Sequence, residues 1–154
     1  MNACIHDKQG RDYLVVTDDV SERFKRFFIE YNGTRIGHAY WHFEGNEVLF
    51  LDDIHIKDKA IRPPIFLLNL HFCMVSFPPK KRRITNYRAR GIGTSMIIFL
   101  VNYARSKSVK RIEGKISVQD YKENPDLPEW YRRRGFTVVL SESPQVANIS
   151  LTID

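Results

Sequence analysis

Two patterns of apolar residues divide the chain of 154 residues into two halves. In the first half, apolar and polar residues partly alternate along three segments, 23–31, 34–43 and 47–56, and a short apolar run precedes them at 13–16. Alternation with a period of two is typical of half-buried strands, and Asn32-Gly33 is a strong signal for a tight hairpin. The first half is therefore predicted to form an initial strand followed by an antiparallel meander of three strands.

The second half of the chain has the spacing of helices that alternate with strands. Ile97, Leu100, Val101 and Ala104 recur on one helical face, which predicts a helix at 94–107. The remaining predicted elements are a strand at 111–118, a helix at 127–134 and two strands at 136–140 and 146–153. Strands followed by strand–helix–strand units indicate a mixed sheet of the α/β (α+β) class.

A turn rich in glycine and arginine opens the predicted helix. Residues 88–94 read Arg-Ala-Arg-Gly-Ile-Gly-Thr and lead directly into an apolar segment. Backbone amides at the start of a helix carry the positive end of its dipole, and glycines let a ligand approach the main chain. The dinucleotide fingerprint needs a small residue where Met96 stands, and a nucleotide P-loop needs a Gly-Lys-Ser/Thr triplet that the sequence lacks. The turn predicts an anion-binding loop of another kind, or a plain turn before a core helix.

Two further segments complete a set of motifs in a fixed order. Residues 124–136 include a predicted helix that ends in Tyr-x-x-x-Gly-Phe, with an asparagine seven residues before the tyrosine. Residues 51–56 read Leu-Asp-Asp-Ile-His-Ile. Together with the Arg-x-x-Gly-x-Gly turn, these segments resemble the GNAT superfamily of acyl-CoA N-acyltransferases. The strand motif is similar to that of polyamine-type acetyltransferases, with Asp52 in place of a glutamate. The resemblance covers 23–152 and implies a GNAT-like mixed, mostly antiparallel central sheet flanked by helices.

The resemblance also implies an activity and a set of site residues. The activity is transfer of an acetyl group from acetyl-CoA, the acyl donor, to a primary amine by direct attack in a ternary complex. Tyr131 matches the general acid that lies near the coenzyme sulfur, although an amphipathic helix residue with one end in the core is the alternative. The residues that match coenzyme-binding positions are Ile54, His55, Ile56, Arg88, Arg90, Gly91, Ile92, Gly93, Thr94, Asn124 and Tyr131.

The general base has three candidates on the strand predicted at 47–56. Asp52 matches the glutamate through which relatives accept the amine proton by way of water, and Asp53 and His55 are the other two. Asp53 and His55 share the opposite face of a regular strand, and a bulge would exchange the faces. An ordinary carboxylate, with a pKa of about 4, is a weak base for an ammonium group, so burial would have to raise it. A main-chain amide near 54–56 is expected to polarise the thioester carbonyl.

The chain departs from the superfamily pattern in two places. About six residues separate Val16 from Arg23, so the two helices that usually follow the first strand and wall the acceptor site are expected to be reduced or absent. Conversely, an insertion of about 30 residues covers 57–86, where the family has only a few. This insertion is predicted to supply part of the acceptor wall, or else to form an apolar flap over the sheet. Its apolar run at 65–77 is too short to span a bilayer.

The formal net charge of +6 is concentrated in one stretch of the chain. The cations that lie close together there are Lys80, Lys81, Arg82, Arg83, Arg88 and Arg90. The phosphates of coenzyme A would account for this cluster, and a solvated loop or a nucleic-acid surface are the other interpretations. A non-catalytic basic RNA-binding or regulatory module on the same fold, to which 132–134 would contribute, is therefore the alternative function. A basic surface also disfavours a polyamine acceptor unless the pocket is locally acidic.

Composition sets wide limits on the remaining properties. A chain of this length with 43% hydrophobic residues is predicted to form one domain, 1–154. Two cysteines indicate no disulfide framework, and the polar N-terminus lacks the apolar stretch of a signal peptide, so a cytoplasmic protein without a membrane partner is expected.

His38 and His42 share a strand face but lie about 13 Å apart, so no metal site is expected. A homodimer that pairs sheet edges near the C-terminal strand is a further option, and the acceptor stays open.

Overall fold

The structure is a computed structural model that describes residues 2–18, 20–57, 59–61, 84–87, 89–141 and 146–153. The strands within these ranges are β1 (Asn2–His6), β2 (Asp12–Asp18), β3 (Phe24–Tyr31), β4 (Thr34–Glu44), β5 (Val48–Ile56), β6 (Lys59–Ile61), β7 (Ile84–Asn86), β8 (Arg111–Ile116), β9 (Thr137–Leu140) and β10 (Ala147–Thr152). The helices are α1 (Ile92–Ser106), α2 (Val118–Glu123) and α3 (Leu127–Arg132).

Eight strands form one sheet in the order β1-β2-β3-β4-β5-β8-β10-β9. Neighbouring strands run antiparallel except for β5 and β8, which pair in parallel. The predicted mixed, mostly antiparallel sheet is therefore confirmed, including the meander that β3, β4 and β5 form around the Asn32-Gly33 turn. β6 and β7 pair with each other at the two ends of the insertion. The rest of the insertion lies outside the described residues, so its role in an acceptor wall stays a prediction.

The strand predicted as the first is the second strand of the sheet. β1 precedes it and pairs antiparallel with β2, Ile5 lying opposite Tyr13. An edge strand buries one face only, and in β1 that face offers little beyond Ile5 and Ala3. Such a short apolar pattern gives a weak signal, which is why the sequence analysis did not predict this strand.

The helix α1 packs across one face of the sheet and forms the centre of the core. Met96, Leu100 and Ala104 are fully buried on its inner side. Phe99 meets the ring of Phe27 on β3 at 5.0 Å between ring centres. The apolar spacing predicted a helix at 94–107, and the observed helix begins slightly earlier because Gly91, at φ 87°, caps its start. None of the helices among the described residues has both the length and the apolar character needed to cross a membrane.

One local prediction differs from the structure, and another agrees with it. The strand predicted at 111–118 ends at Ile116, because Ser117 begins α2 with a capping box. In this box the Ser117 hydroxyl accepts from the amide of Asp120, and the Asp120 carboxylate accepts from the amide of Ser117. The Ser-x-x-Asp spacing was the available sequence signal for this helix. Between β2 and β3, the described residues 20–23 form bends without a helix, in agreement with the expected loss of the helices there.

Candidate active site

A cleft opens where the parallel strands β5 and β8 separate. Their pairing ends at Leu51 and Gly114, while β5 continues to Ile56. A Cβ atom at Gly114 would lie 2.9 Å from the carbonyl oxygen of Leu51, so only glycine lets the two strands approach so closely before they part. The separation leaves the last five residues of β5 beside a space that another molecule can occupy.

A bulge in β5 places both aspartates on the same side of the sheet. Trp41 of β4 lies opposite Leu51 and Tyr40 lies opposite Asp53, so Asp52 is the extra residue. The carboxylate of Asp52 lies within 2.9 and 3.0 Å of His42 Nδ1. The carboxylate of Asp53 lies 2.7 Å from His38 Nε2. The bulge that the sequence analysis considered is present, and it brings each candidate base next to a histidine of β4.

The glycine-rich loop forms the opposite wall of the cleft. Gly91 has no side-chain cap at the start of α1, and the first turn of that helix contains no acidic residue. A Cβ at Gly93 would lie 3.1 Å from the ring of Trp130 and 3.4 Å from the end of the Ile56 side chain. The absence of a side chain at residue 93 therefore allows α3 and the end of β5 to close around the loop.

These walls enclose a cavity of about 590 Å³. Its lining includes the predicted coenzyme-binding residues Ile54, His55, Ile56, Gly91, Ile92, Gly93, Thr94 and Asn124. It also includes residues that the sequence analysis did not select, among them Lys8, Tyr87, Asp120, Trp130, Arg133 and Arg134. The structure thus brings three separate sequence motifs together around one space.

Of the two arginines predicted in the loop, one is described by the structure. Arg88 lies outside the described residues. Arg90 is not among the residues that line the cavity, and its guanidinium group lies 5.0 Å from the centre of the Tyr87 ring. Its carbonyl oxygen accepts a hydrogen bond of 3.0 Å from the amide of Lys8. Arg90 therefore joins the loop to the β1–β2 turn.

Lys8 reaches the cavity from that turn. Its side chain runs along Gly91, because a Cβ at residue 91 would lie 2.9 Å from Lys8 Cγ and 3.3 Å from Cε. The turn is fixed by Asp7, whose side chain is fully buried and accepts from the amides of Gln9 and Arg11, from Arg11 Nε and from the Tyr13 hydroxyl. Burial alone would raise the pKa of Asp7, but these hydrogen bonds outweigh it and lower the pKa to about 2.

Arg134 holds the other side of the loop. Its Nε donates to Thr94 Oγ1 at 3.2 Å, and its guanidinium group lies 3.7 Å from the centre of the Trp130 ring. Its Nη1 donates to the carbonyl oxygen of Trp130 at 2.5 Å. Burial, and then the neighbouring positive charge of Arg133, lower the pKa of Arg134. From the sequence, residues 132–134 are predicted only as a contribution to the alternative basic module.

Tyr131 lies in a smaller cavity of about 50 Å³ that adjoins the larger one. The two cavities share Ile54, Asp120 and Leu127. Tyr131 is only 4% exposed, and burial raises the pKa of its phenol, with further contributions from the negative charges of Asp120 and Asp53. Asp52 and Asp53 line the same small cavity. Within the described residues, no group of three His, Cys, Asp or Glu side chains could hold a metal ion.

No protein-family model and no curated protein sequence matches the chain. Among solved structures, the GNAT domain of S. lividans PAT matches with a TM-score of 0.67 at 9% identity, covering 98% of this chain and 96% of that one. A GNAT family acetyltransferase from Elizabethkingia anophelis with acetyl-CoA bound matches at 0.56 and 12% identity, covering 87% and 84%. An acetyltransferase from Thermus thermophilus matches at 0.56 and 14% identity, covering 87% and 67%. The fold is thereby identified as that of the GNAT acetyltransferases.

Proposed function

We propose that this protein is an acetyltransferase that transfers an acetyl group from acetyl-CoA to a primary amine. The observation that carries the proposal is the cavity of about 590 Å³, in which the glycine loop, the separated end of β5 and α3 surround one space. Its continuation into the small cavity beside Tyr131 supports a thioester end at that position. The acetyl-CoA bound in the E. anophelis structure of the same fold supports the choice of donor.

The pyrophosphate of the coenzyme is proposed to lie against the loop at the start of α1. Free amides and the helix dipole there attract an anion, and Lys8 and Arg134 add positive charge from either side. The pantetheine arm would run along Ile54 to Ile56 and past Asn124. In the described residues, this part of β5 pairs with β4 along one edge and has no strand along the edge from which β8 separates. A main-chain amide of this segment would polarise the thioester carbonyl.

The transfer needs one acid and one base. The amine nitrogen attacks the carbonyl carbon, the C–N bond forms, and the C–S bond then breaks. Tyr131, which its raised pKa keeps protonated, would give its proton to the departing thiolate. Asp52, Asp53 and His55 are the candidate bases, and the two aspartates lie in the same small cavity as Tyr131. Since no covalent enzyme intermediate is needed, both substrates would bind together.

The alternative of a basic RNA-binding module gains no support from the described arginines. Arg132 and Arg133 both pair with Glu129 at 3.6 and 3.3 Å, and Arg134 is turned toward Thr94. Arg90, the described member of the basic cluster, lies 5.0 Å from the centre of the Tyr87 ring, and residues 80–83 and Arg88 lie outside the described residues. Salt-dependent binding of RNA in place of acetyl-CoA would be the result that favours this alternative.

Calorimetry with acetyl-CoA, with its 3′-dephospho form and with acetyl-pantetheine tests the proposal. We expect micromolar binding of acetyl-CoA and progressively weaker binding as the phosphates are removed. The same protein is then incubated with acetyl-CoA and a panel of primary amines, and the acetylated products are identified by mass spectrometry. Absence of acetyl-CoA binding would overturn the proposed function, and binding without any acetylated amine would restrict the protein to a coenzyme-binding role.

A further inference from the structure

We propose that His38 is the group that accepts the proton of the acceptor amine, through a water molecule, and that Asp53 is the carboxylate that orients its ring. This inference rests on the proposed function and assigns its missing base. His38 was not among the candidates that the sequence indicated, because it lies on β4 rather than on the strand of the recognised motif.

The pairing of β4 with β5 places His38 on the acceptor side of the sheet. His38 lies opposite His55, and Tyr40 lies opposite Asp53. Residues directly opposite each other in an antiparallel pair project to the same face, so these four side chains form one patch. Trp41, next to Tyr40, projects to the other face and contacts Tyr103 of α1. The patch is therefore separated by the sheet from the main core.

Three contacts fix the imidazole ring. Its Nε2 lies 2.7 Å from Asp53 Oδ2, its plane is stacked on His55 at 5.5 Å between ring centres, and the Tyr40 ring lies at 4.7 Å. An ionised carboxylate can only accept, so Nε2 carries the hydrogen and Nδ1 keeps its lone pair. The side chain of His38 is 25% exposed, which lets the ring exchange a proton with water.

The chemistry favours an imidazole over a carboxylate alone. The ordinary pKa of imidazole is about 6.5, close to neutral pH, whereas that of an aspartate is about 4. A histidine held by a carboxylate combines a useful proton affinity with a fixed orientation, and the carboxylate stabilises the imidazolium that forms. Asp53 is already engaged with His38, so its function in this arrangement is to position the ring.

Asp53 also connects this pair to the proposed acid. It lines the small cavity together with Tyr131, and its negative charge helps to keep the phenol protonated. His55, on which the His38 ring is stacked, lines the larger cavity. His38 is therefore one side chain away from the space proposed for the thioester, and the amine is proposed to approach from this face of the sheet.

The protons balance in this scheme. The ammonium group gives one proton to His38, and the free amine attacks the thioester carbon. Tyr131 gives its proton to the thiolate as the C–S bond breaks and regains one from the nitrogen of the new amide. His38 then passes its proton to water, so each turnover releases one proton, one acetylated amine and one free coenzyme A.

A second histidine of β4 provides the matched control. His42 pairs with Asp52 on the same face, but its ring lies between Phe24 and Phe50, 5.4 and 5.2 Å away, and its Nε2 lies 3.5 Å from Glu44. Four residues of strand separate the two histidines by about 13 Å. His42→Gln removes an imidazole from a similar His–Asp hydrogen bond and leaves the contacts of His38 with Asp53, His55 and Tyr40 in place.

The first experiment compares His38→Gln, His42→Gln and wild type with an amine that wild type acetylates. We expect His38→Gln to lower kcat by roughly 100-fold or more, the usual size of a general-base effect, with acetyl-CoA binding unchanged as evidence of an intact fold. The acid limb of the pH profile of kcat/KM should be lost in the same variant.

The charged or titratable groups that surround His38 are Asp53, His55, Tyr40 and, across the Phe28 ring, Arg26 and Arg35.

A second readout does not depend on activity. In ¹⁵N-labelled protein, NMR should show neutral His38 with its proton on Nε2, and Asp53→Asn should change that signal without affecting His42. A proton on Nδ1 would overturn the inference, as would an active His38→Gln enzyme or an equal loss in His42→Gln. Those results leave the proposed function intact, whereas a wild-type protein that acetylates no amine contradicts the function itself.

Discussion

The proposed coenzyme side and the proposed acceptor side of the cleft are built in different ways. The coenzyme side is formed by main chain, with glycines at the start of α1 and the separated end of β5. The proposed acceptor side is formed by side chains that meet across two strands, His38 on β4 with Asp53 on β5. A site made of main-chain groups consists of residues that are contiguous in the sequence. A pair of side chains on two strands depends instead on the register of those strands and on a bulge. The two sides therefore differ in how far a sequence reveals them.

Tyr131 lies where the two sides meet, and its substitution should have the largest effect. We expect Tyr131→Phe to lower kcat by about 100-fold, since the thiolate would leave without a proton donor, and to leave the Kd of acetyl-CoA nearly unchanged. Tyr103→Phe is the matched control, because Tyr103 of α1 packs against Trp41 of β4 and lines neither of the two cavities. Full turnover in the Tyr131 variant would remove this residue as the acid.

The pH profile gives a second test of the same residue. Burial and the charges of Asp120 and Asp53 raise the pKa of Tyr131 above the ordinary value of 10, so its proton is retained throughout the neutral range. Loss of activity from ionisation of this phenol should therefore begin only above pH 10. A decline between pH 8 and 9.5 that disappears in Tyr131→Phe would show that the phenol ionises too early for this role.

Gly93→Val should have the next largest effect and separates the two sides of the cleft. A side chain there would push Trp130, whose ring lies 3.1 Å from the Cβ position, into the space proposed for the coenzyme. We expect acetyl-CoA binding by calorimetry to weaken at least 30-fold, about 2 kcal/mol. Asn102→Val, exposed on the same helix, introduces the same β-branched residue without touching the loop and should bind normally. Equal losses in both variants would point to helix destabilisation.

The part of the fold that the sequence predicted is the part with strong local patterns. The meander from β3 to β5 has alternating residues and an Asn-Gly turn, and α1 has an apolar face at helical spacing. β1 was missed because an edge strand with Ile5 as its main buried residue has almost no pattern. α2 was missed because its capping serine follows directly on the strand β8. Short elements that lie at an edge of the sheet or directly after another element have weak or overlapping sequence signals, so they are hard to predict.

The residues of the candidate site also divide into those that a local sequence pattern predicts and those that it does not. The loop residues Gly91 to Thr94 and the β5 segment Ile54 to Ile56 were predicted because they lie within contiguous motifs, and they line one cavity. Lys8 and His38 could not be predicted, since each reaches the site through a partner distant in sequence, Arg90 and Asp53 respectively. The bulge at Asp52 is set by tertiary packing, and no alternation pattern could reveal which aspartate pairs with which histidine.

Asp7→Asn tests how much the buried carboxylate of the β1–β2 turn contributes to the stability of the fold. Its depressed pKa means that the carboxylate stabilises the fold fully above pH 4 and loses this contribution as the pH falls toward 2. At pH 7 we expect Asp7→Asn to lower the free energy of unfolding by about 2 kcal/mol. The difference from wild type, measured by urea denaturation, should shrink between pH 4 and pH 2. Asp12→Asn, whose side chain is 72% exposed, should cost much less; an equal cost would contradict this account.

Lys8→Met should have the smallest effect and sharpens the same comparison. Its side chain runs along Gly91, and within the described residues no carboxylate pairs with it, so its charge is available to a phosphate of the coenzyme. We expect Lys8→Met to bind acetyl-CoA about tenfold more weakly in calorimetry, and Lys8→Arg to restore part of the affinity. The difference in affinity between Lys8→Met and wild type should become smaller at high salt. Lys107→Met, at the opposite end of α1 beside Tyr103, is the matched loss of charge and should leave binding unchanged. If both variants bind as wild type does, the proposed coenzyme side consists of main chain and Arg134, and the β1–β2 turn does not contribute to binding.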